Sequence, residues 1–310
     1  MGNLKEEISS NININLKRVK IFIEHSHKYY IKGLIPKRTG GFREIYMPNS
    51  EIKLIQHFLA ERFISKIPIS NKATAYIKNR SIVDNAQPHI GNKYFLLIDI
   101  SDFFGNIRVE KVKEILFDSF PELLEQDFND FIKLTTFNGK FPQGAVTSPN
   151  ISNIYMKKFD DQISEYVITN LSNGKYTRYS DDITISSDRF IDSSLLDNIK
   201  LELSNIGFNV NLLKTYFTSN IQKLEITGLK ILSGNLTISN NKKRIIKNKI
   251  YHKLKFGNRS NENTNQILGY LYYIMHVDPL FFNKINLKYK KGNNSLISRL
   301  KKILESERMN

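Results

Sequence analysis

The chain contains no cysteine among its 310 residues. Disulfide bonds and thiolate zinc sites are therefore excluded, and a reducing cytoplasm is the simplest expected location. No apolar run approaches the ~18 residues that a membrane-spanning helix needs, and the first residues show no signal-peptide pattern. We accordingly expect no membrane partner.

Acidic residues are scarce relative to basic ones. The chain has 46 Lys and Arg against 30 Asp and Glu, which gives a net charge of +16 and a pI near 9.6. Residues 231–310 alone contribute +12 of this excess. A solvated helical surface would produce a milder version of this segregation, so the pattern favours a polyanionic partner, most often nucleic acid.

The hydrophobic content of 40% is enough for one large core or two to three small ones. Helical spacing is clear at Ile52, Ile55, Leu59 and Phe63, and no internal repeat is apparent. The predicted helices cover residues 1–30, 51–66, 109–118, 121–135, 150–168, 193–206 and most of 241–310, with a polar loop at 258–265. The predicted strands cover 44–47, 73–77, 93–99, 208–212, 215–219, 224–231 and 235–238.

This order of elements predicts an α+β architecture with an appended helical domain. We expect a first domain over 1–232 and a basic second domain over 233–310. Within the second domain, the aromatic residues of the middle helices are expected mainly to build the core. They are Tyr270, Tyr272, Tyr273, Phe281 and Phe282.

Two adjacent carboxylates, Asp181 and Asp182, stand between two short strand-like runs in the segment Tyr176–Ser186. The pattern predicts a β-hairpin whose tight turn presents both acids. Adjacent carboxylates repel each other, and a divalent metal ion removes the repulsion by using them as hard oxygen ligands. A solvated turn is the alternative interpretation of this segment alone.

Asp99 directly follows the apolar run Tyr94–Ile98, where the end of a buried strand would hold its carboxylate rigidly. A strand-end acid that faces solvent is the alternative. Phe104 comes five residues later. A glycine-containing loop, Phe141–Pro149, then leads into a helix, and such a loop allows the backbone to approach a ligand closely.

Taken together and in this order, these segments resemble the reverse transcriptase family. The matching pieces are the Asp99 strand with Phe104, the loop Pro142-Gln143-Gly144, the hairpin Tyr179-Ser180-Asp181-Asp182, and Lys214 within Asn211–Thr215. Two further motifs are similar to the bacterial retron subgroup: Asn85-Ala86-Gln87-Pro88-His89 and Ile226-Thr227-Gly228. The resemblance covers residues 36–232 well. It departs at Ser180, where Ala is usual, and at Ile226, where Val is usual.

The resemblance implies a right-hand polymerase, with fingers and palm built from an antiparallel sheet plus helices and with a basic helical thumb. It implies RNA-templated DNA synthesis with two Mg²⁺ ions. Asp99 and Asp181 would bridge both ions, Asp182 would support one of them, and the Ile100 carbonyl would complete a ligand set.

The resemblance also assigns roles around that centre. Phe104 would be the sugar-selecting aromatic, and Gln143 and Gly144 would line the nucleotide pocket. Arg43, with Lys37 as a weaker candidate, would meet the incoming triphosphate, and Lys214 would protonate or screen pyrophosphate.

Contacts with RNA form a separate set of expectations. Asn85 and His89 either hold structure or contact RNA. The expected phosphate contacts of the basic end are Lys242, Lys243, Arg244 and Lys247, on a helix whose basic residues face outward.

The partners that the resemblance implies are a cognate structured non-coding RNA, which serves as template and primer, its RNA–DNA product, and deoxynucleoside triphosphates. Priming from a guanosine 2′-hydroxyl would give branched single-stranded DNA linked to RNA, and a separate effector protein would act with the enzyme in phage defence. The alternatives are a group II intron or diversity-generating enzyme and an inactive RNA-binding scaffold.

Overall fold

The computed structural model describes residues 3–36 and 40–309. Over these residues the protein combines α-helices with antiparallel β-sheet, as predicted. It packs as two units. The first runs to residue 81 and resumes from 94 to 217, and the second combines 82–93 with the chain from 218 onward. Among the described helices, none has the length and apolar content needed to cross a membrane.

The elements are numbered in chain order. The helices are α1 (Leu4–Ile12), α2 (Leu16–His25), α3 (Ser50–Arg62), α4 (Ile82–Ala86), α5 (Val109–Ser119), α6 (Glu125–Thr135), α7 (Ser148–Asn170), α8 (Ser193–Asn205), α9 (Asn240–Phe256), α10 (Thr264–Val277), α11 (Pro279–Tyr289) and α12 (Leu296–Met309). The strands are β1 (Tyr30–Pro36), β2 (Phe42–Pro48), β3 (Tyr94–Ser101), β4 (Lys175–Tyr179), β5 (Asp182–Ser187), β6 (Asn209–Val210), β7 (Tyr216–Thr218), β8 (Lys230–Leu232) and β9 (Asn235–Thr237).

The first unit is organised around a sheet whose strand order is β4-β5-β3-β6, with β7 also paired to β3. Strands β3, β4, β5 and β6 pair antiparallel. Strand β3 is almost continuously apolar because helices cover the sheet, and its buried residues join one large core with those of α3 and α7. Ile52, Ile55, Leu59 and Phe63 are at most 1% exposed, which confirms the predicted inner face of α3.

Several predicted boundaries differ from the structure. The helix predicted over 121–135 begins at Glu125, because the Asp127 carboxylate accepts the Leu124 N–H at 3.1 Å and caps it there. The helix predicted over 51–66 ends at Arg62. Strand β1, which pairs antiparallel with β2, was not predicted. Within the basic turn before β2, residues 37–39 lie outside the described residues.

The strand predicted over 73–77 is wrong. Ala73 forms only an isolated bridge to Arg178. Beyond it, the Asn153 side chain donates to the Ala75 carbonyl at 2.8 Å, and Tyr76 adopts a positive φ of 63°, which breaks the extended conformation. The strand predicted over 224–231 is also reduced, to β8 at Lys230–Leu232.

In the second unit the hairpin β8–β9 precedes a group of four helices, α9 to α12. Buried Ile and Leu side chains of α9, α10 and α12 form the apolar interior: Ile246, Ile250, Ile267, Leu271, Leu296 and Leu300. Helix α11 starts at Pro279, and the buried Asp278 side chain caps it by accepting the Phe281 N–H at 3.1 Å. The basic end is therefore a helical unit, as predicted.

Candidate active site

The β4–β5 hairpin turns through Ser180 and Asp181. Ser180 has a φ of +60°, a left-handed conformation that a non-glycine residue keeps only when the surrounding structure supports it. The Arg178 guanidinium donates to the Ser180 carbonyl at 2.9 Å, and the Tyr76 hydroxyl lies 2.9 Å from Ser180 Oγ. The turn that carries Asp181 and leads into Asp182 is therefore held from two sides.

Strand β3 brings a third acid to this turn. Its register places Asp99 opposite Asp182, and the Ile100 N–H donates to the Asp181 carbonyl at 2.9 Å. The expectation that Asp99 ends its strand is wrong, because β3 continues to Ser101 through pairing with β6. Its carboxylate is consequently positioned by strands on both sides.

The acids of this cluster destabilise each other's charge. Burial raises the pKa of the Asp181 carboxyl, and the charge of Asp99 raises it further. Desolvation of the carboxyl also raises the pKa of Asp182 to about 6, although the residue as a whole is exposed, and the charges of Asp181 and Asp99 add to the effect. Lys214 Nζ lies 2.7 Å from one Asp99 oxygen, and Asn211 donates to the other at 3.0 Å. Two cations, Lys214 and Arg43, thus oppose three carboxylates, and the excess negative charge favours a further cation.

The donor chemistry of this cluster fits a divalent ion, because carboxylate oxygens are the ligands that Mg²⁺ prefers. Within residues 3–36 and 40–309, however, no three acidic, histidine or cysteine side chains are close enough to form a ready-made metal site. In addition, the Lys214 ammonium donates a hydrogen bond to one Asp99 carboxylate oxygen that an ion would otherwise use. Binding of an ion would therefore require the carboxylates to draw closer and Lys214 to withdraw.

Asp99 and Asp181 open onto a cleft of about 720 Å³ in the first unit, whereas Asp182 does not line it. The sequence-predicted residues that line it are Arg43, Asp99, Ile100, Phe104, Gln143, Asp181 and Lys214. Gly144 lines a neighbouring cavity of about 320 Å³, which shares Arg43, Phe104, Gln143 and Asp181 with the cleft. Lys37 lies outside the described residues. The fold therefore gathers segments that are more than 150 residues apart in the chain, from Arg43 to Lys214.

Phe104 follows β3 in a short turn and lines both cavities, although it is only 9% exposed. Its ring centroid lies 5.4 Å from that of Phe103 and 6.3 Å from that of Tyr76. Phe103 is more deeply buried and stacks on Phe208. Phe103 lines both cavities as well, so Phe104 is distinguished from it only by its greater exposure.

The loop that carries Gln143 and Gly144 is fixed by strand β2. The Tyr46 N–H donates to the Gln143 carbonyl at 2.8 Å. Gly144 has a φ of +107°, and a Cβ placed there would lie 3.1 Å from the Tyr46 carbonyl oxygen. A side chain at position 144 would therefore be strained and would push the loop away from β2.

Gln56 supports the same loop and was missed by the sequence analysis. It is fully buried on α3, donates to the Leu134 carbonyl and the Tyr30 hydroxyl at 2.9 Å, and accepts the Val146 N–H at 3.0 Å. A buried amide with satisfied hydrogen bonds fixes its neighbours in one arrangement. The available signal was a polar residue directly beside the apolar face of α3.

A buried ion pair behind the hairpin was also missed. Arg178 and Asp160 are both 0% exposed, and two nitrogens of the guanidinium contact the two carboxylate oxygens at 2.8 and 2.7 Å. The Tyr176 hydroxyl donates to Asp160 at 2.8 Å, and Asn153 accepts a further Arg178 hydrogen bond at 3.2 Å. The network links α7 to the Ser180 carbonyl. An arginine inside a strand-like run was its only signal in the sequence.

Asn85 and His89 belong to the second unit, where both are 0% exposed. Asn85 Nδ2 lies 3.5 Å from Thr227 Oγ1, which connects the two retron-like motifs of the sequence within one unit. Thr227 and Gly228 both have positive φ values, of 48° and 80°. The burial of Asn85 and His89 favours the structural interpretation over direct contact with RNA.

The basic residues of α9 differ in their surroundings. Arg244 is exposed, Lys242 donates to the Tyr273 hydroxyl at 3.2 Å, and Lys247 Nζ lies 5.4 Å from the Phe281 ring centroid. Lys243 instead pairs with the buried Asp278 at 3.0 Å.

The expectation that all basic residues of this helix face outward is wrong. Lys253 is 1% exposed and forms an ion pair with Glu307. Lys253 and Lys243 therefore stabilise contacts within the second unit, and their charges are not presented to solvent. The aromatic residues also divide. Phe281 is buried and Tyr270, Tyr273 and Phe282 are partly buried, as a core role predicts, but Tyr272 is 43% exposed.

Comparison with known proteins supports a family assignment. A family model described as reverse transcriptase (RNA-dependent DNA polymerase) matches residues 35–270. The chain is 34% identical to the retron Ec73 reverse transcriptase of Escherichia coli over 274 residues, which cover 82% of this chain and 85% of that protein. It is 32% identical to the retron Ec83 enzyme of the same organism over 286 residues, which cover 87% and 89%.

Among solved structures, telomerase from Candida albicans in complex with a fragment of telomeric RNA matches with a TM-score of 0.45 and 12% identity, over 90% of this chain and 63% of that chain. Apo telomerase from Candida tropicalis matches with a TM-score of 0.41 and 14% identity, over 71% and 60%.

Proposed function

Because this chain belongs to the reverse transcriptase family and is a retron-type RNA-directed DNA polymerase, we propose that it copies part of one cognate structured RNA into branched single-stranded DNA linked to that RNA. The observation that carries the proposal is the single cleft that contains Asp99, Asp181, Arg43, Gln143 and Lys214. The same RNA would supply template and primer. A separate effector protein and a role in phage defence complete the proposal.

Fingers and palm would correspond to residues 1–232 and the thumb to 233–310. The packing units change at residue 218 and include 82–93 in the second unit. The motif Ile226-Thr227-Gly228 would then belong structurally to the thumb side, although we assign it to the first domain by sequence.

The metal sites in this proposal use the acids described above. Asp99 and Asp181 would hold two Mg²⁺ ions, with Asp182 and the Ile100 carbonyl as further ligands, and the ions would supply charge stabilisation for phosphoryl transfer. The raised pKa of Asp181 and Asp182 supports this role, since Lys214 and Arg43 offset the effect of burial and of the neighbouring carboxylates only in part.

The remaining groups would bind and orient the nucleotide. Arg43 would neutralise the triphosphate, and Gln143 and Gly144 would position the sugar and base. The Lys214 side chain is 55% exposed and is free to leave Asp99, so that it can protonate or screen pyrophosphate. Lys242, Arg244 and Lys247 of α9 would contact RNA phosphates, whereas Lys243 contributes less because Asp278 already neutralises it.

Primer extension tests the proposed function directly. The purified chain with Mg²⁺, deoxynucleoside triphosphates and a primed RNA template is expected to synthesise DNA. Supplying the RNA recovered with the protein from cells should also give a product in which DNA remains joined to RNA after treatment that separates strands. No DNA on any primed RNA would identify an inactive RNA-binding scaffold. DNA without a covalent RNA link would favour a different bacterial reverse transcriptase class.

Phe104→Ala is expected to relax discrimination against ribonucleotides, because the ring would otherwise clash with a 2′-hydroxyl. Effects of pocket size on selectivity are about 1–3 kcal/mol, or roughly 10- to 200-fold. The measurement is the ratio of kcat/KM for a deoxynucleotide to that for its ribonucleotide. Phe208→Leu is the matched control, since it alters the same aromatic cluster without lining either cavity. An unchanged ratio in an active Phe104 variant would leave Phe103 as the next candidate.

A further inference from the structure

The outward face of α9 carries rings as well as charge. Tyr251 is 47% exposed and Phe256 is 48% exposed, and His252 and Lys255 are exposed between them. Residues four apart on a helix are neighbours on its surface, so Tyr251 lies beside Lys255 and His252 beside Phe256. We call Tyr251, His252, Lys255 and Phe256 the ring face. The helix is anchored through its other side, by Ile246 and Ile250.

The rings of this face are mutually ordered. The His252 and Phe256 rings are nearly parallel, with centroids 6.0 Å apart and planes 18° from each other. Lys255 Nζ lies 5.5 Å from the Tyr251 centroid and 5.2 Å from that of Phe256. A cation held over exposed rings provides both a partner for phosphate and flat surfaces for bases.

The charge of the ring face is not neutralised by nearby acids. Three lysines of α9, each at most 25% exposed, take Asp278, Glu262 and Glu307 as ion-pair partners: Lys243, Lys249 and Lys253. These are three of the four acidic residues after position 230. Among the described residues, no carboxylate lies within ion-pair distance of Lys255 or of Arg244, which lies two turns before the ring face.

We propose that the ring face binds unpaired nucleotides of RNA by stacking their bases on Tyr251 and Phe256 while Lys255 and Arg244 contact the adjacent phosphates. The inference rests on the proposed function, because that function requires the chain to hold a structured RNA with unpaired segments. An acid-free face with exposed rings fits a single-stranded polyanion. A duplex offers its phosphates but keeps its bases stacked inside, so it would use only the cations.

Binding titrations with a labelled RNA strand, alone and annealed to its complement, test this inference. The double variant Tyr251→Ala, Phe256→Ala is expected to weaken binding of the unpaired strand by about tenfold per ring, because each stacked base contributes measurably to affinity. Duplex binding should change less than about threefold, and the salt dependence should be unchanged because no charge is lost. Tyr251→Phe, which keeps the ring, should bind normally.

Two further variants separate stacking from charge and from folding. Arg244→Gln should weaken both RNA forms and reduce the salt slope by about one unit. Tyr272→Ala removes a similarly exposed ring of α10, outside the ring face, and should leave binding unchanged. The thermal midpoint of the double variant should match that of the wild type, since both rings are half exposed.

Unchanged binding in the double variant, or equal losses for the single strand and the duplex, would overturn the inference. Loss of self-association in size-exclusion chromatography, with RNA affinity intact, would instead identify a protein-docking face and overturn it as well. Primer extension by the wild type is scored separately. If the wild type synthesises DNA and the double variant binds the unpaired strand normally, only the ring-face inference is rejected. If the wild type makes no DNA but the double variant loses binding of the unpaired strand, only the proposed function is rejected.

Discussion

Asp181→Asn is expected to abolish DNA synthesis while leaving the protein folded. The substitution keeps the shape of the turn residue but removes a charge from the carboxylate cluster that we propose holds the metal ions. Metal-assisted stabilisation of transition-state charge contributes several kcal/mol, so the rate should fall by about a thousandfold or more. Asp99→Asn should behave alike, and Asp182→Asn should lose less if its carboxylate ligates less directly. The measurement is the primer-extension rate at saturating nucleotide.

The thermal stability of Asp181→Asn and Asp182→Asn should not fall along with their activity. Because folding raises the pKa of Asp181 and Asp182, the charged carboxylates destabilise the folded protein at neutral pH. Their amides should therefore unfold at the same temperature as the wild type or slightly above it. Asp188→Asn, at an exposed site just after β5, is the matched control and should change neither quantity. Near-normal synthesis by Asp181→Asn would remove the proposed mechanism.

Arg178→Met is expected to be the most destabilising of the substitutions considered. It leaves the Asp160 carboxylate charged and fully buried, a condition that typically costs about 3–5 kcal/mol of unfolding free energy. The Tyr176 hydroxyl still donates to Asp160, but it carries no positive charge and cannot neutralise the carboxylate. Denaturant unfolding monitored by circular dichroism gives the free energy. Lys157→Met breaks an exposed pair with Asp161 on α7 and should cost no more than about 0.5 kcal/mol.

A second variant separates support of the fold from support of the catalytic turn. Arg178→Met combined with Asp160→Leu replaces both charges with apolar groups and should recover much of the lost stability. The Ser180 carbonyl would still lack its donor, so DNA synthesis should remain impaired, with kcat affected more than the nucleotide KM. Full recovery of activity together with stability would show that Arg178 only supports the fold.

Local patterns identified most of the elements. The helices predicted over 109–118, 150–168 and 193–206 lie within two residues of α5, α7 and α8. The hairpin around Asp181 is also local, because alternation and a two-residue turn specify it over a dozen residues. The strand predicted over 73–77 failed because the Asn153 side chain, remote in sequence, takes the Ala75 carbonyl that a strand would pair and because Tyr76 adopts a positive φ.

The concentration of positive charge in residues 231–310 was visible in the sequence. Which of these charges face solvent and which form ion pairs was not. Whether a lysine of α9 faces solvent or an acid depends on which helix packs against it. Lys253 is neutralised by Glu307, which lies 54 residues later on α12, and Lys243 by Asp278. The exposure of Tyr251 and Phe256 likewise follows from the side of α9 that its neighbours cover.

The amino-acid sequence alone indicated the groups to which we assign the chemistry: the paired acids of the hairpin, Asp99, the Gln143 loop and the basic end. These signals are short-range, because a turn or a strand imposes its residue types on neighbouring positions. The tertiary structure decided which groups meet and what holds them. The register that sets Asp99 against Asp182, and the buried contacts of Gln56 and Arg178, arise from packing between distant segments. Such contacts leave only single residues in the sequence, with no period or spacing that marks them.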